Sequence, residues 1–136
     1  MEIRQNNYTE IEKILREKIK MNPGDCDTHS ALGDILYVLQ RYDEAEKEYR
    51  EAIRINPEYV DAHSNLGALL MNLQRYDEAE KEYKEAIRIN PEYAEAHNNF
   101  GNLLMKLQRY DEAEEEYKEA IRINPEYLDA YYNLGL

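Results

Sequence analysis

A segment of 34 residues recurs along this chain. Residues 60–93 and 94–127 are identical at 27 of their 34 positions, and residues 26–59 repeat the same pattern of glycine, alanine, tyrosine and proline. A fixed period of this length is typical of proteins whose similar units stack side by side, because each unit buries its apolar face against its neighbours. The period therefore predicts a stack of units in place of one closed core.

Each unit contains two stretches with helical spacing. Leucines recur three and four positions apart in the first stretch, and alanine, tyrosine and isoleucine form an apolar stripe in the second. In residues 60–93 these positions are Leu66, Leu69, Leu70 and Leu73, then Ala79, Tyr83, Ala86, Ile87 and Ile89. The pair Asn90-Pro91 ends the second stretch, since proline cannot continue a helix. Each unit is therefore predicted to be a helix–turn–helix hairpin.

Two local features refine the hairpin. Asp77 and Glu80 have the spacing of a capping box at the start of the second helix. A glycine recurs inside the first helix, where it costs about 1 kcal/mol relative to alanine. Its recurrence predicts close approach by a neighbouring helix, with small alanines as partners. The glycines are Gly33, Gly67, Gly101 and Gly135, and the alanines are Ala45, Ala79 and Ala113.

The recurring residues resemble the signature of the tetratricopeptide repeat. In the central unit they are Gly67, Leu70, Tyr76, Ala79, Tyr83, Ala86 and Pro91. The resemblance implies an all-α fold, a right-handed α-solenoid of antiparallel helix–turn–helix hairpins. This sequence departs from the family at two positions per unit. Histidine replaces a large aromatic residue at 29, 63 and 97, and glutamine replaces a turn glycine at 40, 74 and 108.

The repeat register divides a single domain, residues 1–136, into five parts. Residues 1–25 are predicted to form an outer-type capping helix, in which Tyr8 aligns with Tyr42 and residues 1–7 are frayed. Residues 26–59, 60–93 and 94–127 are three full repeats. Residues 128–136 begin the inner helix of a fourth repeat. We therefore expect the chain to be a fragment, or its end to be completed by another molecule.

Charge and composition limit the kinds of binding partner and cellular location that we expect. The formal net charge is −12, which disfavours nucleic-acid phosphates and anionic membranes. No stretch has the length of a membrane span, and no apolar run forms a secretory signal. Cys26 is the only cysteine, so an internal disulfide is excluded and a reducing, cytoplasmic location is expected.

No motif predicts an enzyme or a cofactor. His29, His63 and His97 should lie one per repeat. Because stacked helices lie about 8–10 Å apart and zinc ligands sit about 2.0–2.1 Å from the metal, sharing a zinc ion between repeats would need marked local distortion. We interpret these histidines as half-buried packing residues, with a pH-sensitive or catalytic role as the alternative. The paired carboxylates Asp77-Glu78 and their counterparts lie at helix starts, where the positive end of the helix dipole stabilises negative charge. No sequence feature removes them from water, as a catalytic acid or base with a shifted pKa would require.

The resemblance implies that binding occurs on the concave face lined by the inner helices. Read in columns, that face is acidic along one edge, rich in amides in the middle and lined by soft apolar side chains near its end. The candidate peptide-binding residues are Asp27, Asp34, Tyr37, Asp61, Asn65, Met71, Asn72, Glu95, Asn98, Asn99, Asn102, Met105 and Asn133.

Three asparagines provide the sharpest functional hypothesis. Asn65, Asn99 and Asn133 resemble the asparagine ladder with which some family members hold a peptide by its backbone, since an amide both donates and accepts. A solvated polar face is the alternative, and Ala31 interrupts the ladder at its first rung. For Met71 and Met105, binding and packing roles both remain open.

Two functional hypotheses follow. Family members that clamp a terminal carboxylate use cations and asparagines, but only Asn65 matches here, and Asp34 and Glu95 would repel an acidic tail. A lysine- or arginine-containing peptide is therefore the expected ligand of an adaptor. The alternative is self-association into a homo-oligomer, in which the outer helix near residues 8–21 pairs head to tail with residues 128–136 of another copy.

Overall fold

Eight α-helices form the described part of the chain. The computed structural model describes residues 2–135, with side chains from residue 6, and contains no strand within that range. The helices are α1 (Glu2–Met21), α2 (Cys26–Val38), α3 (Tyr42–Ile55), α4 (Val60–Asn72), α5 (Tyr76–Ile89), α6 (Ala94–Lys106), α7 (Tyr110–Ile123) and α8 (Leu128–Leu134). Helix α1 includes residues 2–7, for which the sequence predicted a frayed end, and Met1 lies outside the described residues.

The helices pack as a stack of hairpins, which confirms the predicted all-α solenoid. The most extensive contacts join α2 with α3, α4 with α5, and α6 with α7. Within each hairpin we call the first helix inner (α2, α4, α6, α8) and the second outer (α3, α5, α7). Helix α1 packs on α2 as an outer helix packs on the next inner helix.

The stack curves toward the inner helices. Backbone contacts join neighbouring inner helices, whereas none joins neighbouring outer helices in the described range. Arginines in the turns bridge the wider outer spacing instead. The ion pairs are Arg41–Glu12 at 2.7 Å, Arg75–Glu46 at 2.7 Å and Arg109–Glu80 at 2.9 Å. The concave face is therefore the face of the inner helices.

The recurrent glycines make room for tyrosine rings. A Cβ atom on Gly33 would lie 2.6 Å from the Tyr49 ring, and one on Gly67 would lie 2.9 Å from the Tyr83 ring. Gly101 faces the Tyr117 ring in the same way, at 2.6 Å. The close approach is as predicted, but its partner is a tyrosine of the outer helix and not the small alanine. Gly135 differs, because it ends α8 with a left-handed φ of 89°.

The predicted capping box is absent from α5. The N-cap residue is Arg75, with no side-chain cap hydrogen bond, and Asp77 lies inside the first turn. Its carboxylate there still interacts favourably with the positive end of the helix dipole. Arg75 pairs with Glu78 at 2.7 Å and so stabilises the first turn through an ion pair.

Candidate functional site

Tyrosine hydroxyls from the outer helices reach the concave face. The Tyr49 ring passes over Gly33, and its hydroxyl donates to Asp34 Oδ1 at 2.5 Å. Tyr117 donates in the same way to Asn102 Oδ1 at 2.6 Å. Sequence reasoning treated these tyrosines only as core residues. A polar side chain follows the glycine in the first and third repeats, but the repeat pattern alone does not show that a tyrosine hydroxyl of the outer helix reaches it.

Asp34 is the centre of the first polar cluster. Its Oδ1 accepts both the Tyr49 hydroxyl and Asn65 Nδ2, the latter at 3.2 Å. Because an ionised carboxylate only accepts, the Asn65 amide must direct its nitrogen toward Asp34 and leave its carbonyl oxygen available. Asp34 is exposed as a residue, but neighbouring groups partly remove its carboxyl from water, which raises its pKa above the usual value; the Tyr49 hydrogen bond opposes that shift and the charge of Asp61 adds to it.

A cavity of about 200 Å³ opens beside this cluster. It lies between α2 and α4, with the Asn65 amide and the Asp34 carboxylate on its wall. The lining residues are Asp34, Tyr37, Val38, Tyr49, Asn65 and Ala68. The structure thus brings together predicted residues from two repeats around one pocket that is open to solvent.

The asparagine row continues along the inner helices. Asn99 is half-buried, and its side chain makes no hydrogen bond within residues 6–135. Asn133 donates to Asn98 Oδ1 at 3.1 Å. Asn98 itself is only 4% exposed, so its predicted place on the groove surface is wrong. It lies in the packed column with Ser30 and Ser64, where its amide positions Asn133.

Apolar side chains line the far part of the groove. Met71 is half-buried and Met105 is 41% exposed. A second cavity, of about 430 Å³, is lined by Met105, Tyr110, Glu114, Tyr117, Lys118, Asn133 and Leu134. Asn72 is exposed and donates to the Tyr37 hydroxyl across neighbouring repeats. Sequence reasoning missed Tyr110, which begins an outer helix and is 56% exposed.

Acidic residues along one edge of the groove have no basic partner. Asp27, Asp61 and Glu95 are exposed and form no ion pair within the described residues. Tyrosines accompany them: burial and the Asp27 carboxylate raise the pKa of Tyr59, and Tyr93 donates to Glu95 at 3.4 Å. The concave edge therefore combines negative charge with aromatic rings.

Basic side chains are concentrated on the other side of the molecule. Lys106 is the only lysine or arginine within the four inner helices. The turns and outer helices, by contrast, carry arginines paired with glutamates, such as Arg88 with Glu58 at 2.6 Å and Arg122 with Glu92 at 3.0 Å. Both surfaces carry an excess of acidic residues, but arginines and glutamates form ion pairs on the convex surface, whereas Asp27, Asp34, Asp61 and Glu95 on the concave surface have no basic partner among the described residues.

The histidines are buried and hydrogen-bonded at both ring nitrogens. In the central repeat, His63 Nδ1 lies 3.0 Å from Glu82 and Nε2 lies 2.8 Å from the Pro57 carbonyl. His29 makes the same two contacts with Glu48 and the Pro23 carbonyl. His97 makes them with Glu116 and the Pro91 carbonyl. Exposure is 5–6% for all three. Each histidine therefore connects the loop before its inner helix to the following outer helix by hydrogen bonds, a more specific role than the packing we expected.

The described residues hold neither a metal-binding cluster nor a membrane-spanning helix. Residues 2–135 contain no group of three or more histidine, cysteine, aspartate or glutamate side chains arranged to hold a metal ion. None of the helices in that range is both long and apolar enough to span a membrane.

The TPR repeat model matches residues 33–74, 69–108 and 101–136. The chain belongs to the TPR repeat family. No curated protein matches it in a sequence comparison. The tyrosine–glycine contacts and the concave inner face described above are therefore features of a TPR protein.

Solved TPR structures share the fold at low sequence identity. PilF of Pseudomonas aeruginosa has a TM-score of 0.89 and 22% identity, over 97% of this chain and 60% of that one. YrrB, described as a TPR protein with an unusual peptide-binding site, has a TM-score of 0.84 and 22% identity, over 98% and 69%. The first TPR of Spaghetti, bound to the HSP90 peptide SRMEEVD, has a TM-score of 0.77 and 23% identity, over 80% and 86%.

Proposed function

We propose that this TPR protein is a cytoplasmic adaptor that binds an extended, basic peptide on its concave face. The TPR repeats support a protein-interaction role, as do the two neighbours described with a peptide-binding site and with a bound peptide. The observation that carries the basic ligand is the concave surface itself, where the acids Asp27, Asp34, Asp61 and Glu95 lack basic partners within the described residues. We assign no catalytic step and no cofactor to this surface.

The orientation of the amides supports recognition of a peptide backbone. The nitrogens of Asn65 and Asn133 donate within the protein, and their carbonyl oxygens accept no hydrogen bond from the described residues, so these oxygens are available as acceptors. Asn99 keeps both functions, because its amide makes no hydrogen bond to the described residues. A row of acceptors with one complete amide in its middle can pair with successive backbone N–H groups without reading side chains.

An acidic ligand is disfavoured by the same surface. The peptide bound by Spaghetti contains the sequence EEVD. In the present chain the exposed Asp34 and Glu95 would repel such a peptide, and Lys106 is the only inner-helix cation that could oppose them. The proposed adaptor therefore differs from that neighbour in the charge of its ligand.

Selection from a displayed library of random peptides tests the adaptor. We expect wild-type protein to enrich basic peptides, and Asn65→Ala combined with Asn99→Ala to weaken their capture about tenfold or more, because two backbone hydrogen bonds are lost. The matched control is Asn7→Ala with Asn22→Ala, both exposed and away from the inner helices. Equal capture by the two double variants would contradict backbone reading by this row.

Self-association is the second candidate. Helix α1 exposes Ile11 at 39% and Ile14 at 55%, and α8 exposes Leu128 at 76% and Tyr132 at 83%. The repeat register relates the two surfaces. Ile14 occupies the position of the glutamate that binds histidine in each hairpin, and Tyr131 occupies the position of that histidine. If α8 of one copy packed on α1 of a second, Ile14 and Tyr131 would take the places of the glutamate and histidine of a full hairpin. The contact would then be largely apolar, which favours this pairing.

A further inference from the structure

We infer that the cavity beside Asp34 binds the side chain of a lysine in the peptide ligand. The inference rests on the proposed adaptor function and adds to it the identity of one ligand side chain. Its basis is the hydrogen-bonding state of the two Asp34 oxygens together with the composition of the cavity wall.

The two carboxylate oxygens of Asp34 are not equivalent. Oδ1 accepts from Tyr49 and from Asn65, which uses both of its lone pairs. Oδ2 accepts nothing from the described residues, and Asp34 forms no ion pair with them. The hydrogen bonds of Oδ1 therefore hold the carboxylate in place, and Oδ2 remains open to a cation.

This arrangement favours an ammonium group over a guanidinium group. Arginine pairs best with a carboxylate through two parallel bonds, which require both oxygens. Lysine carries three donors on a single nitrogen and needs only one carboxylate oxygen. Asn65 also lines the cavity, and its carbonyl oxygen, which accepts no hydrogen bond from the described residues, can serve as a second acceptor for the ammonium group.

The rest of the cavity suits the lysine stem. Val38 and Ala68 form an apolar wall, and the Tyr37 ring lies on the same cavity. Lysine methylenes pack on such surfaces while the ammonium group keeps its polar contacts. A volume of about 200 Å³ leaves room for one side chain.

The site occurs once in the repeat array. The positions that correspond to Asp34 hold Ala68 and Asn102, which carry no charge. Only the first repeat can therefore anchor a cation in this way. A single anchor at one end of the groove fixes the register and the direction of a bound peptide, which the backbone-reading asparagines alone cannot do.

Nuclear magnetic resonance with a small probe tests the cavity directly. Nα-acetyl-lysine N-methylamide is titrated into the ¹⁵N-labelled protein, with the norleucine and arginine analogues alongside. We expect shifts of the backbone signals of α2 and α4 around the cavity, at least tenfold weaker binding of norleucine, and loss of the lysine effect in Asp34→Asn. The matched control is Asp43→Asn, which removes the same charge from the exposed start of α3.

The outcomes separate this inference from the adaptor function. Equal shifts with lysine and norleucine, or an unchanged lysine effect in Asp34→Asn, would overturn the lysine site, while peptides captured independently of Asp34 would keep the adaptor. Lysine-probe binding with no peptide enriched from the library would overturn the adaptor. Thermal unfolding of Asp34→Asn verifies the fold, and an amide oxygen at this position can still accept from Tyr49.

Discussion

A single residue in each turn holds a backbone conformation that favours glycine. Gln40, Gln74 and Gln108 have φ values of 61°, 61° and 60°. Each ends an inner helix: Gln74 N–H bonds to the Met71 carbonyl and Arg75 N–H bonds to the Leu70 carbonyl, which is the Schellman arrangement. The left-handed conformation costs a residue with a side chain about 1–2 kcal/mol. The glutamines are thus tolerated at some expense of stability.

Replacing Gln74 by glycine should therefore stabilise the protein. We expect the free energy of unfolding to rise by about 0.5–1 kcal/mol, because relief of strain is partly offset by the greater freedom of glycine in the unfolded chain. Gln74→Ala is the matched control, since it removes the side chain but retains the strained Cβ. Urea unfolding of both variants measures the difference. A glycine variant no more stable than the alanine variant would show that the turn carries no strain.

At the scale of the helix, the buried histidine connects three elements. His63 links its own inner helix to Glu82 on α5 and to the loop before α4 through the Pro57 carbonyl. Both partners accept hydrogen bonds, so the imidazole satisfies them best when both nitrogens carry protons. Burial lowers the pKa of His63, but Glu82, Pro57 and the charge of Glu85 outweigh it and raise the pKa above 6.5. His29 and His97 are shifted in the same direction by their own partners.

Stability should consequently decline above neutral pH. A raised pKa in the folded state stabilises the protein fully below pH 6.5, where both states are protonated, and this stabilisation is lost as pH rises through the folded pKa. Glu46 and Glu80 have lowered pKa values because arginines bind them, so their contribution is lost on the acid side, below about pH 4.5. Maximal stability is therefore expected between these limits.

Urea unfolding at a series of pH values checks the histidine contribution. Replacing His63 by phenylalanine should flatten the decline between pH 6.5 and 9 by about one third, since three equivalent sites contribute and phenylalanine does not titrate. The variant will also be less stable at every pH, because Glu82 and the Pro57 carbonyl lose their donor. The diagnostic quantity is the slope of the free energy of unfolding against pH. A slope equal to that of the wild type would show that His63 does not contribute to the pH dependence.

The sequence predicted elements better than it predicted contacts between them. Asn90-Pro91 and the leucine spacing give the hairpin because both act locally along the chain. The Tyr83 ring over Gly67 and the bond from Tyr49 to Asp34 depend on side chains that cross between helices, and the 34-residue period does not contain that information. Asn98 shows the same limit, since one step around a helix separates a groove position from a buried one.

At the scale of the whole molecule, the two faces differ in how their charged side chains are paired. Arginine–glutamate pairs knit the convex side, where Arg75 contacts Glu46 of the preceding outer helix and Glu78 of its own. The concave side collects acids without basic partners in the described range, within a chain of net charge −12. Such a surface attracts cationic ligands and repels a second concave face of the same kind. Association between copies through two concave faces is therefore disfavoured.

The surfaces available for association between copies are on α1 and α8, and their pairing is testable. If α8 of one molecule completes a hairpin with α1 of another, the weight-average mass from sedimentation equilibrium should rise with concentration. Ile14→Glu restores the acid found at this position in every full repeat and should keep the protein monomeric, because a carboxylate would be buried against Tyr131 without a donor as strong as histidine. Val38→Glu is the matched control, an equally exposed apolar residue on the concave face, 50% against 55%. A monomer at all concentrations, or association that survives Ile14→Glu, would exclude head-to-tail pairing through these helices.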